Sequence, residues 1–118
     1  MDKKRQEELG LGLVELMREM LADSERYAKH FGNEGVIYSI PHNTLALAGE
    51  VGEFANIVKK IERGDLDIRD ADVRMRLMME WTDIFIYHML IGGLIKVNPM
   101  MAYNYVRAEN EKRFGQHD

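Results

Sequence analysis

Four acidic side chains stand where helix packing asks for apolar ones. In 48-AGEVGEFANIVKK-60, Glu50 and Glu53 lie three residues apart, and in 78-MMEWTDIFIY-87 Glu80 and Asp83 repeat that spacing. Residues three or four apart share a helix face. The stripe through the first pair carries Asn43, Ala46, Glu50, Glu53, Asn56 and Lys60, on a segment otherwise made of Leu45, Leu47, Val51, Phe54, Ile57 and Val58. The second pair interrupts Met78, Met79, Trp81, Ile84 and Phe85, with Tyr87 one turn further along its stripe. A single ExxE says little, because solvated helices are full of glutamates at this spacing. Two such pairs breaking apolar segments say more. On two helices joined by a short connection they can meet across a hairpin. Left bare, converging carboxylates repel one another and are costly to desolvate. Some must hold protons, or a cation must sit among them. Oxygen-only ligands favour a hard ion, Mg²⁺, with Mn²⁺ as substitute. No glutamate is followed three residues later by histidine here, so the carboxylate–histidine di-iron pattern is missing. Each of Glu50 and Glu53 follows a glycine, Gly49 or Gly52. A missing side chain lets a neighbouring helix or a ligand come close. Mg²⁺ held by carboxylates completes its shell with water and substrate phosphates. The residues therefore point to a metal-bound phosphate site on a helical scaffold.

The elements that must carry this site read as helices throughout. With 118 residues, the chain (1–118) is one domain. Helix one is expected over about 3–30, with Gly32 as its stop. A loop follows in 32-GNEGVIYSIPHN-43. Helix two is expected from an Asn43 cap to about Arg63, with Gly64 behind it. Helix three is expected over about 70–96 and is apolar on nearly every side after Glu80, so a partner should cover the face that one domain cannot. Asn98-Pro99 caps helix four, which runs to about Phe114, with Gly115 and a frayed GQHD tail beyond. Period-two β-branched runs are absent, so the expected class is all-α, a four-helix bundle completed by oligomerisation.

Composition narrows the context. No cysteine is present, which excludes disulfides and thiolate metal sites and suits a reducing, cytoplasmic setting. The net charge of −4 argues against a nonspecific nucleic-acid binder. The polar N-terminus has no apolar signal core, and the longest apolar run, 84–97, contains His88 and is short for a membrane span. Neither nucleic acid nor membrane is an expected partner.

The stretch 44-TLALAGEVGEFANIVKK-60 followed by 80-EWTDIFIYHM-89 resembles the all-α nucleoside triphosphate pyrophosphohydrolases, the MazG-like group that includes dimeric dUTPases and dCTP pyrophosphatases. Their signature is ExxE, a spacer, then ExxD on the next helix. Glu50, Glu53, Glu80 and Asp83 fill its four places, with residues 54–79 as a long spacer. The resemblance covers about 43–115; helix one matches only in being a helix. It implies Mg²⁺-dependent cleavage of a (deoxy)nucleoside triphosphate to monophosphate and pyrophosphate, in pool cleaning or remodelling. It also implies a homodimer or a dimer of dimers, with sites at subunit contacts. The four acids become metal ligands, one of them or a neighbour orienting or deprotonating the attacking water.

Other positions follow more loosely. Lys60 matches a family lysine, and Asn110, in 107-RAENEKRFG-115, a family asparagine that reaches phosphate. Arg107, Asn110 and Arg113 share one face of helix four and could clamp a triphosphate. Tyr87 could stack on a base or bond a ligand oxygen. Asn43, with His42, resembles the segment leading into this helix in dCTP pyrophosphatases, where a base contact stands beside simple capping. Trp81 reads as core, His88 as an interface residue, and the nine methionines as filler. One departure matters. The dCTP branch carries a tryptophan where Lys60 stands, so base preference does not transfer. Two rival readings remain: a noncatalytic helical oligomeric module, and another metal-dependent phosphohydrolase.

Overall fold

The computed structural model describes residues 1–115; the end of the expected frayed tail, residues 116–118, lies outside them. The described residues are all-helical. The elements are α1 (Lys3–Phe31), a short 3-10 helix (Glu34–Tyr38), α2 (Ile40–Glu62), α3 (Ala71–Leu94) and α4 (Pro99–Phe114).

Local chemistry sets the ends. The Asp2 carboxylate accepts from the Arg5 N–H at 2.8 Å and opens α1. Gly32, in the left-handed region at φ 72°, closes it by donating to the Ala28 and Lys29 carbonyls. α2 begins earlier than expected. Its cap is Ser39, whose hydroxyl accepts from the His42 N–H, with Pro41 in the first turn where a missing N–H costs nothing. Asn43, expected as the cap, is instead the most deeply buried polar residue, and its Nδ2 donates to the Ile37 carbonyl at 2.9 Å. That bond pins the 3-10 helix to the start of α2, within the segment expected to be a loop. Gly64, at φ 84°, turns the chain out of α2, and Arg69 folds back onto Asp67 in the connection. Asn98 caps α4 as expected, its Oδ1 accepting from the Met100 and Met101 N–H groups.

α2 and α3 form an antiparallel hairpin, and α1 lies across α3. Met17, Met89, Leu90, Ile57 and Val73 are buried in this arrangement. Gly92 lies at the α1–α3 contact: a Cβ there would come within 2.7 Å of Cε at the flexible tip of Met17. α4 turns 91° away from α3 and packs on the start of α1, where Asn104 donates to Gln6 at 3.1 Å. No residue of α4 is buried, so the four helices do not close a bundle within one chain. No single helix among the described residues is long and apolar enough to cross a membrane.

Candidate metal centre

The hairpin brings the acidic stripes of α2 and α3 together. Glu50, Glu80 and Asp83 each offer one carboxylate oxygen, and the three oxygens lie within 4.8 Å of one another. That spacing lets one cation touch all three. Glu53, one turn along α2, is exposed and sits beside Glu80 rather than inside the trio. Among the described residues none of the four acids is in an ion pair. The Oε2 atoms of Glu50 and Glu80 are shut away from solvent and receive no hydrogen bond. Two buried acceptors without a donor are costly unless a proton or a cation lies between them.

The electrostatics agree. The Glu50 carboxyl rises from its ordinary 4.5 to about 7, first through desolvation, then through the closeness of the Glu80 carboxyl and the charges of Glu53, Asp83 and Glu80. Glu80 is raised as well. The nearness of Glu50 pulls it down, but the nearness of Glu53, desolvation and the Glu53 and Asp83 charges outweigh that pull. The Tyr87 hydroxyl is raised by burial and by the Glu50 and Asp83 charges. A carboxyl raised this far is partly protonated near neutral pH, and a cation bound among the acids would displace that proton. An all-carboxylate donor set is of the kind that a hard divalent cation takes.

Two hollows flank the cluster. One, of about 480 Å³, is shared by α1, the 3-10 helix and α3; Tyr27, Phe31, Asn33, His42, Asp83 and Tyr87 are on its wall. Its aromatic walls suit a flat ring, and Asp83 links it to the acids. The other, of about 390 Å³, lies at the opposite end, where Lys60 and Arg76 face the same space as Glu53 and Glu80. Neither cation is in an ion pair among the described residues. Charge there suits an anionic group.

Several expected positions are thus brought together: the four acids, Lys60 and Tyr87. Asn43 lies close in sequence, but its amide N–H is used on the Ile37 carbonyl. Arg107, Asn110 and Arg113 are exposed on α4, which packs on α1, and none shares a hollow with the acids of its own chain. Gly49 and Gly52 meet open space, so no neighbouring helix uses the room they leave. Trp81, expected in the core, is 57% exposed, because α1 covers the other side of α3. His88 is exposed too. Arg76, Tyr27 and Phe31 escaped the sequence reading. Arg76 stands four residues before Glu80 on the same face, a signal that was legible. Tyr27 and Phe31 are also four apart, but nothing in helix one ties them to the acids until the fold is known.

Compared with protein-family models, with curated proteins and with solved structures, the chain matches none.

Proposed function

We propose that this chain is a Mg²⁺-dependent nucleotide pyrophosphohydrolase that cleaves a (deoxy)nucleoside triphosphate to the monophosphate and pyrophosphate. The observation that carries the reading is the pair of buried, donor-less oxygens on Glu50 and Glu80 inside an acidic trio. Such a cluster is expensive to keep for structure alone and is made tolerable by a divalent ion. The flanking hollows supply the rest: aromatic walls for a base at one end, Lys60 and Arg76 for phosphates at the other.

In this reading Glu50, Glu80 and Asp83 hold the ion, which neutralises phosphate charge and acidifies a bound water. Glu53, exposed beside Glu80, is placed to contact a water ligand or complete the ion's shell. Lys60 and Arg76 hold the terminal phosphates. Tyr87, between the acids and the aromatic hollow, contacts the sugar or base. The resemblance of the ExxE and ExxD segments to MazG-like enzymes supports the same chemistry. A homodimer or dimer of dimers belongs to the proposal, since α4's Arg107, Asn110 and Arg113 can reach an acid cluster only if another copy presents it.

The test is direct. The protein is incubated with each canonical and modified (d)NTP and Mg²⁺, and products are identified. Monophosphate plus pyrophosphate supports the proposal. Diphosphate plus free phosphate points to a different phosphohydrolase, and no turnover with any nucleotide points to a noncatalytic module.

A further inference from the structure

A third hollow lies away from the acids, between the middle of α1 and the end of α3. Its volume is about 320 Å³. On α1, Met17, Arg18 and Leu21 face it, within one helical turn of each other. Met89, Leu90 and Leu94 of α3 stand on the other side, with Val97 just beyond the helix end. Met17, Met89 and Leu90 are buried, so the floor is aliphatic. The hollow shares Leu90 alone with the aromatic hollow and includes none of the four acids.

Its polar groups are all donors or spent acceptors. Arg18 and Lys96 are on the wall and exposed, and no acidic residue stands with them. Neither cation is in an ion pair among the described residues, although Glu15 precedes Arg18 by one helical turn. Asn98, also on the wall, uses its Oδ1 to cap α4, which leaves its amide N–H groups to offer. In a chain of net charge −4, this is a local positive field over an aliphatic floor.

The backbone at Lys96 adds a second observation. α3 ends with the Lys96 N–H donating to the Gly93 carbonyl and the Val97 N–H to the Gly92 carbonyl. This is the closing motif whose left-handed position glycine fills without strain. Lys96 fills it here, at φ 61°, the one non-glycine residue with positive φ among the described residues. A strained backbone position carrying a cation at the edge of a hollow points to a use for that side chain.

We infer that this hollow binds a free medium-chain carboxylate, its alkyl chain between α1 and α3 and its head between Arg18 and Lys96. The guanidinium fork of Arg18 matches a carboxylate, and charge-assisted bonds to it are the strong ones. The space of about 320 Å³ is roughly twice the ~150 Å³ of an apolar cavity that takes benzene, so a ligand the size of octanoate fills it. The chains of a bilayer lipid exceed it. The site is independent of the acids and stands whether or not the protein hydrolyses nucleotides.

The test is titration of the full chain with octanoate, followed by calorimetry and by the methyl resonances of Met17 and Met89. Saturable binding at one site per chain is expected, with both methyls shifting. Affinity should rise about fourfold per methylene from butanoate to octanoate. Octanol should bind at least tenfold more weakly than octanoate. Arg18→Gln and Lys96→Gly should each weaken octanoate about tenfold. Lys96→Gly relieves the backbone, so it should fold and melt no lower than wild type. Absence of octanoate binding at millimolar concentration overturns the proposal, as does equal affinity for octanol. If Lys96 serves only the carbonyl end of α3, Lys96→Gly melts lower and binds octanoate unchanged, which also overturns it. Binding lost in Arg76→Ala but kept in Lys96→Gly would place the anion in the other cationic hollow and overturn it too.

Discussion

Glu50 of α2 and Glu80 of α3 face one another across the hairpin, each with a buried Oε2 that no donor reaches. Like charges at this separation cannot both stay ionised at little cost, so the pair shares a proton or yields it to a cation.

Metal-free protein should lose stability as pH rises from about 4.5 to about 7. Glu50 titrates at about 7 in the folded chain against an ordinary 4.5. The folded state therefore binds more protons than the unfolded state between those values, and the unfolding free energy falls through that window as pH increases. Millimolar Mg²⁺ should flatten the slope and raise the melting temperature most at pH 8, where the ion replaces the lost proton. Scanning calorimetry at several pH values, with and without Mg²⁺, reads both effects. A flat metal-free profile would count against the crowded pair.

Glu50→Gln should stabilise the metal-free protein at pH 8 and abolish the Mg²⁺ increment. The substitution keeps the shape, removes one charge, and supplies a donor to the Glu80 carboxylate. Thermal unfolding with and without Mg²⁺ measures both. Destabilisation at pH 8 without metal would show that Glu50 serves packing instead.

Glu53→Gln should lower kcat/KM by about 100-fold or more while leaving the circular dichroism spectrum and metal-free melting near wild type. Glu53 is exposed, so its loss opens no cavity. Full activity in this variant would remove it from the site.

The order in which these features became legible has physical reasons. The acids were visible because carboxylates at helical spacing inside apolar segments contradict packing, wherever the helices lie. Caps with unambiguous chemistry, Gly32 and Asn98-Pro99, were visible for the same reason. The start of α2 was not, because Ser39, Pro41 and Asn43 all carry capping signals within five residues and only burial of Asn43 decides among them. Trp81 was misplaced because periodicity tells which residues share a face, never which neighbour covers it. Tyr27 and Phe31 were missed because their link to Asp83 exists only through the way α1 crosses α3.

Arg76→Ala and Lys60→Ala should each raise KM for triphosphate by about tenfold or more, consistent with losing one charge-assisted contact worth ~1.5–3 kcal/mol. Binding of a nucleoside lacking phosphates should be unaffected. Equal losses for nucleoside and triphosphate would mean that the cations shape the hairpin rather than hold phosphate.

Phe31→Ala and Tyr27→Ala should change the ranking of bases in a substrate panel more than they change kcat for a poorly discriminated nucleotide, because stacking on an aromatic wall is worth ~1–3 kcal/mol per base. An unchanged ranking in both variants would move the base out of this hollow.

The most direct test is Mn²⁺ binding to the nucleotide-free protein, followed by electron paramagnetic resonance, which needs no assumption about substrate. Saturable binding in the wild type that Mg²⁺ competes away, and that Glu80→Gln removes from a correctly folded protein, is the predicted result. Mn²⁺ that stays free at millimolar concentration, or that binds Glu80→Gln as well as wild type, would contradict the claim that these carboxylates are gathered to hold a divalent ion.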